Sequence, residues 1–297
     1  MHIGEISALG VAVCWTLSAL FFEKAGGKIG SLAVNVIRLM MAVVLLGFGA
    51  WITRGYFFPT DATPYQWFWL SLSGFIGFFV GDLFLFHSYS IIGSRMAQLV
   101  MTLSPPITAF VGFFFLGEHL SFIQIIGISI TVCGILIAMS GKEKGDKFNF
   151  NVPVKGFLFA FGGAMGQALG LIISKKGIGN YDAMSATQIR AITGGISFLL
   201  LVTVLHRWGA IRYAITEKSS LKFVLFGSLA GPVVGVTLSL FAIQYTEAGI
   251  AATLMGLVPI FIILPSAILF KERITPFQVL GAFISVAGCI LLFFQKQ

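Results

Sequence analysis

Three ionisable residues, Arg38, Asp82 and Arg190, lie well inside long apolar stretches of this sequence. A charge at a helix centre in lipid costs about 2.5–3.5 kcal/mol, so each needs a partner or a task. At about 1.5 Å rise per residue, Arg38 and Asp82 lie at about the same depth, 12–14 Å from the same face, and can pair. Such a pair either pins two helices together or makes Asp82 a proton-coupling or cation-binding group beside a cavity. Arg190 has no acidic residue at the corresponding place, where Val236 stands, so it either attracts an anionic group such as a carboxylate or is satisfied by helix-end carbonyls. His87, about a turn beyond Asp82, is a candidate proton relay or an interfacial histidine.

A second set consists of polar or adaptable side chains amid apolar ones: Trp15, Ser18, Gln98, Met101, Gln167, Ser239 and Met255. They are candidate cavity walls, and each also has a plain reading as packing. Pro105, Pro106, Pro232, Pro259 and Pro265 form a third set. Proline removes a backbone donor, and in lipid the freed carbonyls must meet protein or line a cavity. These positions are candidate kinks and gates. No nucleophile–base set, paired-Asp diphosphate motif or GxxxxGK[ST] loop is present, which argues against an enzyme and an ATP-driven pump. Cys14, Cys133 and Cys289 sit in apolar runs without Cys/His spacing, so neither a metal nor a cofactor is expected.

The elements that hold these residues follow from composition. Only 10% of the 297 residues are charged and 57% are hydrophobic, with a mean hydropathy of +0.96. Soluble domains carry about 25% charged residues, so lipid is the expected solvent. The apolar runs are close to the length of about 20 residues that crosses a bilayer, and lack the alternation of a barrel strand. They predict ten helices at 5–23, 31–53, 66–91, 95–116, 121–140, 154–174, 183–205, 220–245, 248–270 and 275–294. The formal charge of +8 is read as basic loops at one membrane face, not as a nucleic-acid surface. The first apolar run lacks a basic leader and is expected to stay as helix 1. Trp51, Tyr56, Tyr65 and Trp67 flank one loop as an interfacial belt.

The chain repeats itself. At an offset of 154 residues Ala97 meets Ala251, Met101 meets Met255, Pro105 meets Pro259 and Glu118 meets Glu272. Gly77, Gly81, Gln124, Gly127 and Gly134 fall on Gly231, Gly235, Gln278, Gly281 and Gly288 in the same register. At an offset of 152, Gly4, Gly10, Lys24 and Arg38 fall on Gly156, Gly162, Lys176 and Arg190. Trp15 and Gln167 are mates as well, as expected of facing walls. The domain reading is therefore a five-helix repeat at 1–141, a polar linker at 142–153 and a second repeat at 154–297. An odd number of crossings makes the repeats inverted, the plan of secondary transporters with a midplane site between the halves.

These motifs also resemble a family. Ile92-Gly93-Ser94-Arg95-Met96-Ala97 through Pro105 to Leu116-Gly117-Glu118 resembles the EamA-type unit of the drug/metabolite transporter superfamily. So does Thr246-Glu247-Ala248-Gly249-Ile250-Ala251-Ala252 through Pro259 to Phe270-Lys271-Glu272-Arg273, with Lys271 altering the Gly-Glu ending. Trp15 and Arg38 sit where such units often carry Trp and Arg. The resemblance implies an all-α integral membrane fold of ten transmembrane helices in two inverted repeats. It implies a carrier of small metabolites or drugs, commonly an exporter, with both termini in the cytoplasm. The loop cations argue otherwise: Lys24, Lys28, Arg95, Lys142, Lys144, Lys147, Lys155, Arg207, Arg212, Lys218, Lys222, Lys271 and Arg273 share one face, against Arg54, Lys175, Lys176 and Lys296 on the other. That bias puts the termini outside.

Together these observations point to a multi-pass cell-membrane transporter of small organic metabolites such as amino acids. Its expected partners are the small-molecule substrate, the lipid bilayer and a coupling proton or ion. Efflux of cationic drugs and a non-transporting receptor or assembly subunit are the competing readings, and the oligomeric state stays open.

Overall fold

The computed structural model describes residues 3–116, 122–139, 152–245, 251, 254–270 and 274–293, and among them there is no strand. Most of the 142–153 linker lies outside the described residues, as do Gly117, Glu118, residues 246–250, Ala252, Lys271, Glu272 and Arg273. The chain runs through α1 (Ile3–Ile29), α2 (Ser31–Arg54), α3 (Pro64–Ser73), a π-helical segment (Gly74–Gly81), α4 (Asp82–Val100) and a 3₁₀ turn (Met101–Leu103). It continues as α5 (Ser104–Leu116), α6 (Phe122–Met139), α7 (Val154–Ile178), α8 (Ala183–Val204), α9 (Trp208–Thr216) and α10 (Lys218–Ser228). A second π segment (Leu229–Gly235) leads to α11 (Val236–Tyr245), then α12 (Val258–Phe261), α13 (Ile263–Phe270) and α14 (Pro276–Phe293).

Six helical stretches are long and apolar enough to cross a membrane: Ile3–Ile29, Ser31–Arg54, Pro64–Thr108, Val154–Ile178, Ala183–Val204 and Lys218–Tyr245. Ile125–Ala138, Val258–Phe270 and Pro276–Leu291 are shorter apolar helices. Pro64–Thr108 is 45 residues long and is broken at Gly93, with φ 73° and ψ 161°. Only glycine enters that region at low cost, so the residue type dictates the break. The gap expected between 91 and 95 falls there.

Large apolar side chains face outward, among them Ile6, Val44, Phe48, Leu200, Leu264 and Ile268, all at least 48% exposed. Small residues mark the closest helix crossings, as lipid favours, because tails give apolar side chains no reason to cluster. α7 crosses α3 and α4 antiparallel through Gly166 against Gly81 and Gly170 against Gly77, so close that a Cβ on Gly166 would meet the Gly81 Cα. The hydroxyls of Ser73 and Ser174 lock the same crossing at 2.6 Å. α6 and α14 pack through Gly134, Gly281 and Gly288, where the Thr131 hydroxyl donates to the Ser285 carbonyl at 3.3 Å.

Two features go beyond the sequence reading. Both π segments end on the repeat-mate pair Gly81 and Gly235, so the same wide turn occurs at the same place in each half. Pro232 lies inside the second, and the first forms without proline, over Gly74, Gly77 and Gly81. Between α8 and α10, where a loop was expected, α9 forms a short helix with Ile211 and Ala214 buried and Trp208 and Tyr213 exposed.

Candidate functional site

The two π segments aim side chains at the middle of the molecule. Asp82 follows the first as the opening residue of α4, and the wide turn carries it toward α2. There the Arg38 guanidinium forms an ion pair and hydrogen bond with the Asp82 carboxylate. Arg38 Nε also donates to Asn35 Oδ1 at 2.9 Å. Its guanidinium lies 4.6 Å from the ring centre of Phe86, 5.6 Å from Phe22 and 5.9 Å from Phe78. Arg38 is only 3% exposed. The pair is held by charge and hydrogen bonding, with aromatic faces against the rest of the guanidinium.

Arg38 and Asp82 line a chamber, about 540 Å³ counting the space that opens to solvent, with Trp15, Ser18, Phe22, Phe78, Phe86, Tyr89, Gln98, Met101, Gln167, Pro232 and Val236 among its walls. A second chamber of about 500 Å³ shares Trp15, Gln98, Met101 and Gln167 and adds Thr102, Ser104, Pro105, Thr108, Met255 and Pro259. The predicted mates Trp15 and Gln167 thus border both chambers. Gln98 Nε2 donates to the Tyr89 hydroxyl at 2.8 Å, tying the Gly93 break across itself. A wider vestibule of about 1090 Å³ is lined by Glu23, Lys24, Lys28 and Ser90, and meets the first chamber at Phe22, Phe86 and Tyr89.

Other expected residues lie elsewhere. Arg190, 4% exposed, is outside the lining of these chambers. It stands 4.7 Å from the ring centre of Phe78, and its Nε has no hydrogen-bond partner. His87 packs edge-on against Phe159 at 4.5 Å, and Ser239 donates to the Val236 carbonyl at 2.8 Å. Pro106 and Pro265 also lie off the chamber walls, Pro106 in the first turn of α5, where the missing donor costs little. The residues the sequence did not single out are Phe22, Phe78, Phe86 and Tyr89. Phe occurs 31 times, so no single one stood out; their common signal is the spacing around Asp82, at −4, +4 and +7 for the last three.

A sequence model of the EamA-like transporter family matches residues 2–140 and again 154–294. The chain is 24% identical over 198 residues to a probable amino-acid metabolite efflux pump of Escherichia coli (strain K12), covering 65% of each sequence. It is 29% identical over 146 residues to the threonine/homoserine exporter RhtA of Salmonella typhimurium, covering 47% of this chain and 44% of that one. The matches therefore span less than two thirds of either relative. A protein of known crystal structure superposes with a TM-score of 0.66 at 16% identity, over 98% of this chain and 96% of that one, and so shares the fold. With both halves matched by the same unit, this multi-pass membrane protein belongs to the EamA-like transporter family.

Proposed function

We propose that the chain exports small organic metabolites of amino-acid type, by alternating access of the central chambers between ten transmembrane helices in two inverted repeats. The helix count rests on the six long spans, the three shorter apolar helices and the division of Pro64–Thr108 at Gly93. The observation that carries the function is the Arg38–Asp82 pair, buried among aromatic rings on the wall of a chamber at the junction of the repeats. A zwitterion matches such a pair: its carboxylate exchanges for Asp82 at Arg38, and its ammonium exchanges for Arg38 at Asp82. No charge is stranded at any point. With Arg190 nearby, the three ionic groups sum to one positive charge, so a carboxylate entering the region also offsets an uncompensated cation. Asp82 is the carboxylate at which a coupling proton would compete with the ammonium group of the substrate.

The test is flux of radiolabelled threonine, homoserine and apolar amino acids in proteoliposomes, with and without a pH gradient. Saturable flux that Arg38→Gln reduces at least about tenfold, a rise of about 1.4 kcal/mol in the transport barrier, supports the reading. The aromatic walls favour cationic drugs as the second reading. Flux of apolar cations that survives Arg38→Gln and is lost in Asp82→Asn would replace the first reading with that one.

A further inference from the structure

Among the described residues, the polar contacts between the two halves differ at the two ends of the molecule. At the face where α2 ends and α8 begins, Arg54 pairs with the Asp61 carboxylate in its own repeat. It also reaches across to the second repeat, where its Nη1 donates to Ser185 Oγ at 2.6 Å and lies 3.8 Å from the Asp182 carboxylate. The bridge is doubled, because the Tyr181 hydroxyl donates to Asp61 Oδ1 at 2.9 Å. The Arg54 guanidinium also lies 5.3 Å from the Tyr181 ring centre. Beneath them Gln188 Nε2 donates to the carbonyls of Val43 and Phe57 at 3.1 and 2.9 Å, again from one repeat to the other.

Inverted repeats give each such contact a counterpart at the opposite face, because exchanging the halves exchanges the faces. At the offset of 152, Arg54 falls on His206, Tyr181 on Ile29 and Asp182 on Gly30. None of these reproduces the bridge. His206 is exposed and faces its own Val204 carbonyl at 3.1 Å, and Ile29 is buried. The polar contacts between the repeats described near that face are the Lys28–Glu217 pair, at 4.0 Å in exposed surroundings, and the hydrogen bond that Arg95 Nη1 donates to Gln278 Oε1 at 3.0 Å. The vestibule lined by Lys24, Lys28 and Ser90 lies toward this same end.

We propose that Arg54 and Asp61, with Tyr181 and Asp182, are the gating residues of the transport cycle, a latch that holds one face shut and sets the resting state open at the other. This inference rests on the alternating-access reading above. An element present at one of two symmetry-related places favours one of the two symmetry-related states. A few partly exposed bonds suit that task, because they bias an equilibrium without locking it.

The experiment uses the full chain in phospholipid nanodiscs, with Cys14, Cys133 and Cys289 replaced by alanine and spin labels at Thr60→Cys and Asn180→Cys, which flank the latch and are exposed. Label separations are measured with Arg54 and Asp61 intact, in Arg54→Gln and in Asp61→Asn. Each latch variant is expected to raise the population of a longer separation about two- to fivefold, the shift one exposed pair produces. Gel filtration identifies any variant that fails to fold, and Asp61→Asn, nearly isosteric, serves if Arg54→Gln does. Unchanged separations in folded protein overturn the latch. If separations shift but no solute is carried in the flux assay, the latch stands and the transport reading falls. If solute is carried while separations stay unchanged, the transport reading stands and the latch falls.

Discussion

Arg38 and Asp82 have exposures of 4% and 14% for their side chains, so neither charge can turn to water if the other is removed. Removing one partner of a buried pair costs about 3–5 kcal/mol, whereas neutralising both costs far less. Arg38→Gln and Asp82→Asn are each expected to lower the apparent melting temperature sharply. The double variant should recover most of that loss while carrying no substrate. Thermal unfolding in detergent together with flux checks both halves of the prediction. Asp61 belongs to the opposite regime, since it lies in a loop with its side chain 31% exposed. Burial opposes its charge, but hydrogen bonds from Tyr181 and Arg54 and the Arg54 charge together outweigh that, holding the carboxyl below the usual carboxylate range. A depressed folded pKa gives stability that is complete above the unfolded value, about 3.9, and is lost as pH falls through the folded value. Arg54, Tyr181 and Asp182 are the titratable groups facing it. The latch separation should therefore stay constant from pH 8 to about 5 and lengthen only below the ordinary aspartate pKa.

At the scale of elements, the fold depends on how closely its helices approach and on where they break. Gly166 faces the Gly81 backbone with no room for a side chain, whereas nothing lies within 4 Å of a Cβ placed on Gly27. Gly166→Leu must push α7 away from α4 and is expected to cost at least about 1–3 kcal/mol of stability. Gly27→Ala in α1 should be neutral or gain up to about 1 kcal/mol from helix propensity. Melting temperatures of the two variants in the same detergent compare them directly. Gly93 is different again. A Cβ there meets an unfavourable φ, so Gly93→Ala should cost about 1–3 kcal/mol whatever space surrounds it.

For the molecule as a whole, the latch proposed above closes one face and leaves the vestibule face open. Lys24, Lys28, Arg95, Arg207, Arg212, Lys218 and Lys222 lie toward the open face, which the positive-inside rule assigns to the cytoplasm. A membrane-impermeant maleimide should then label Thr60→Cys on intact cells and Lys28→Cys only after permeabilisation. The opposite pattern would put the termini inside, as the family resemblance implied, and the resting state would then face outward.

The sequence by itself determined the all-helical membrane class and the duplication, because each follows from local composition or from a fixed residue offset; it allowed Arg38 and Asp82 to pair by depth, and the fold made the pair. The break at Gly93 was legible for the same reason: only one residue type accepts that backbone. Tertiary structure alone decided which of 31 phenylalanines meet around Arg38, and that Arg190 stands against Phe78 and off the chamber walls, although it is the sequence mate of Arg38. The paired π segments and the Arg54–Asp61–Tyr181 latch were also hidden. A π turn depends on how neighbouring helices crowd the backbone, and the latch joins residues 120 positions apart across loops whose charges looked like ordinary solvated ends. Such contacts are set by the angle at which the two repeats meet, a quantity that no local pattern encodes.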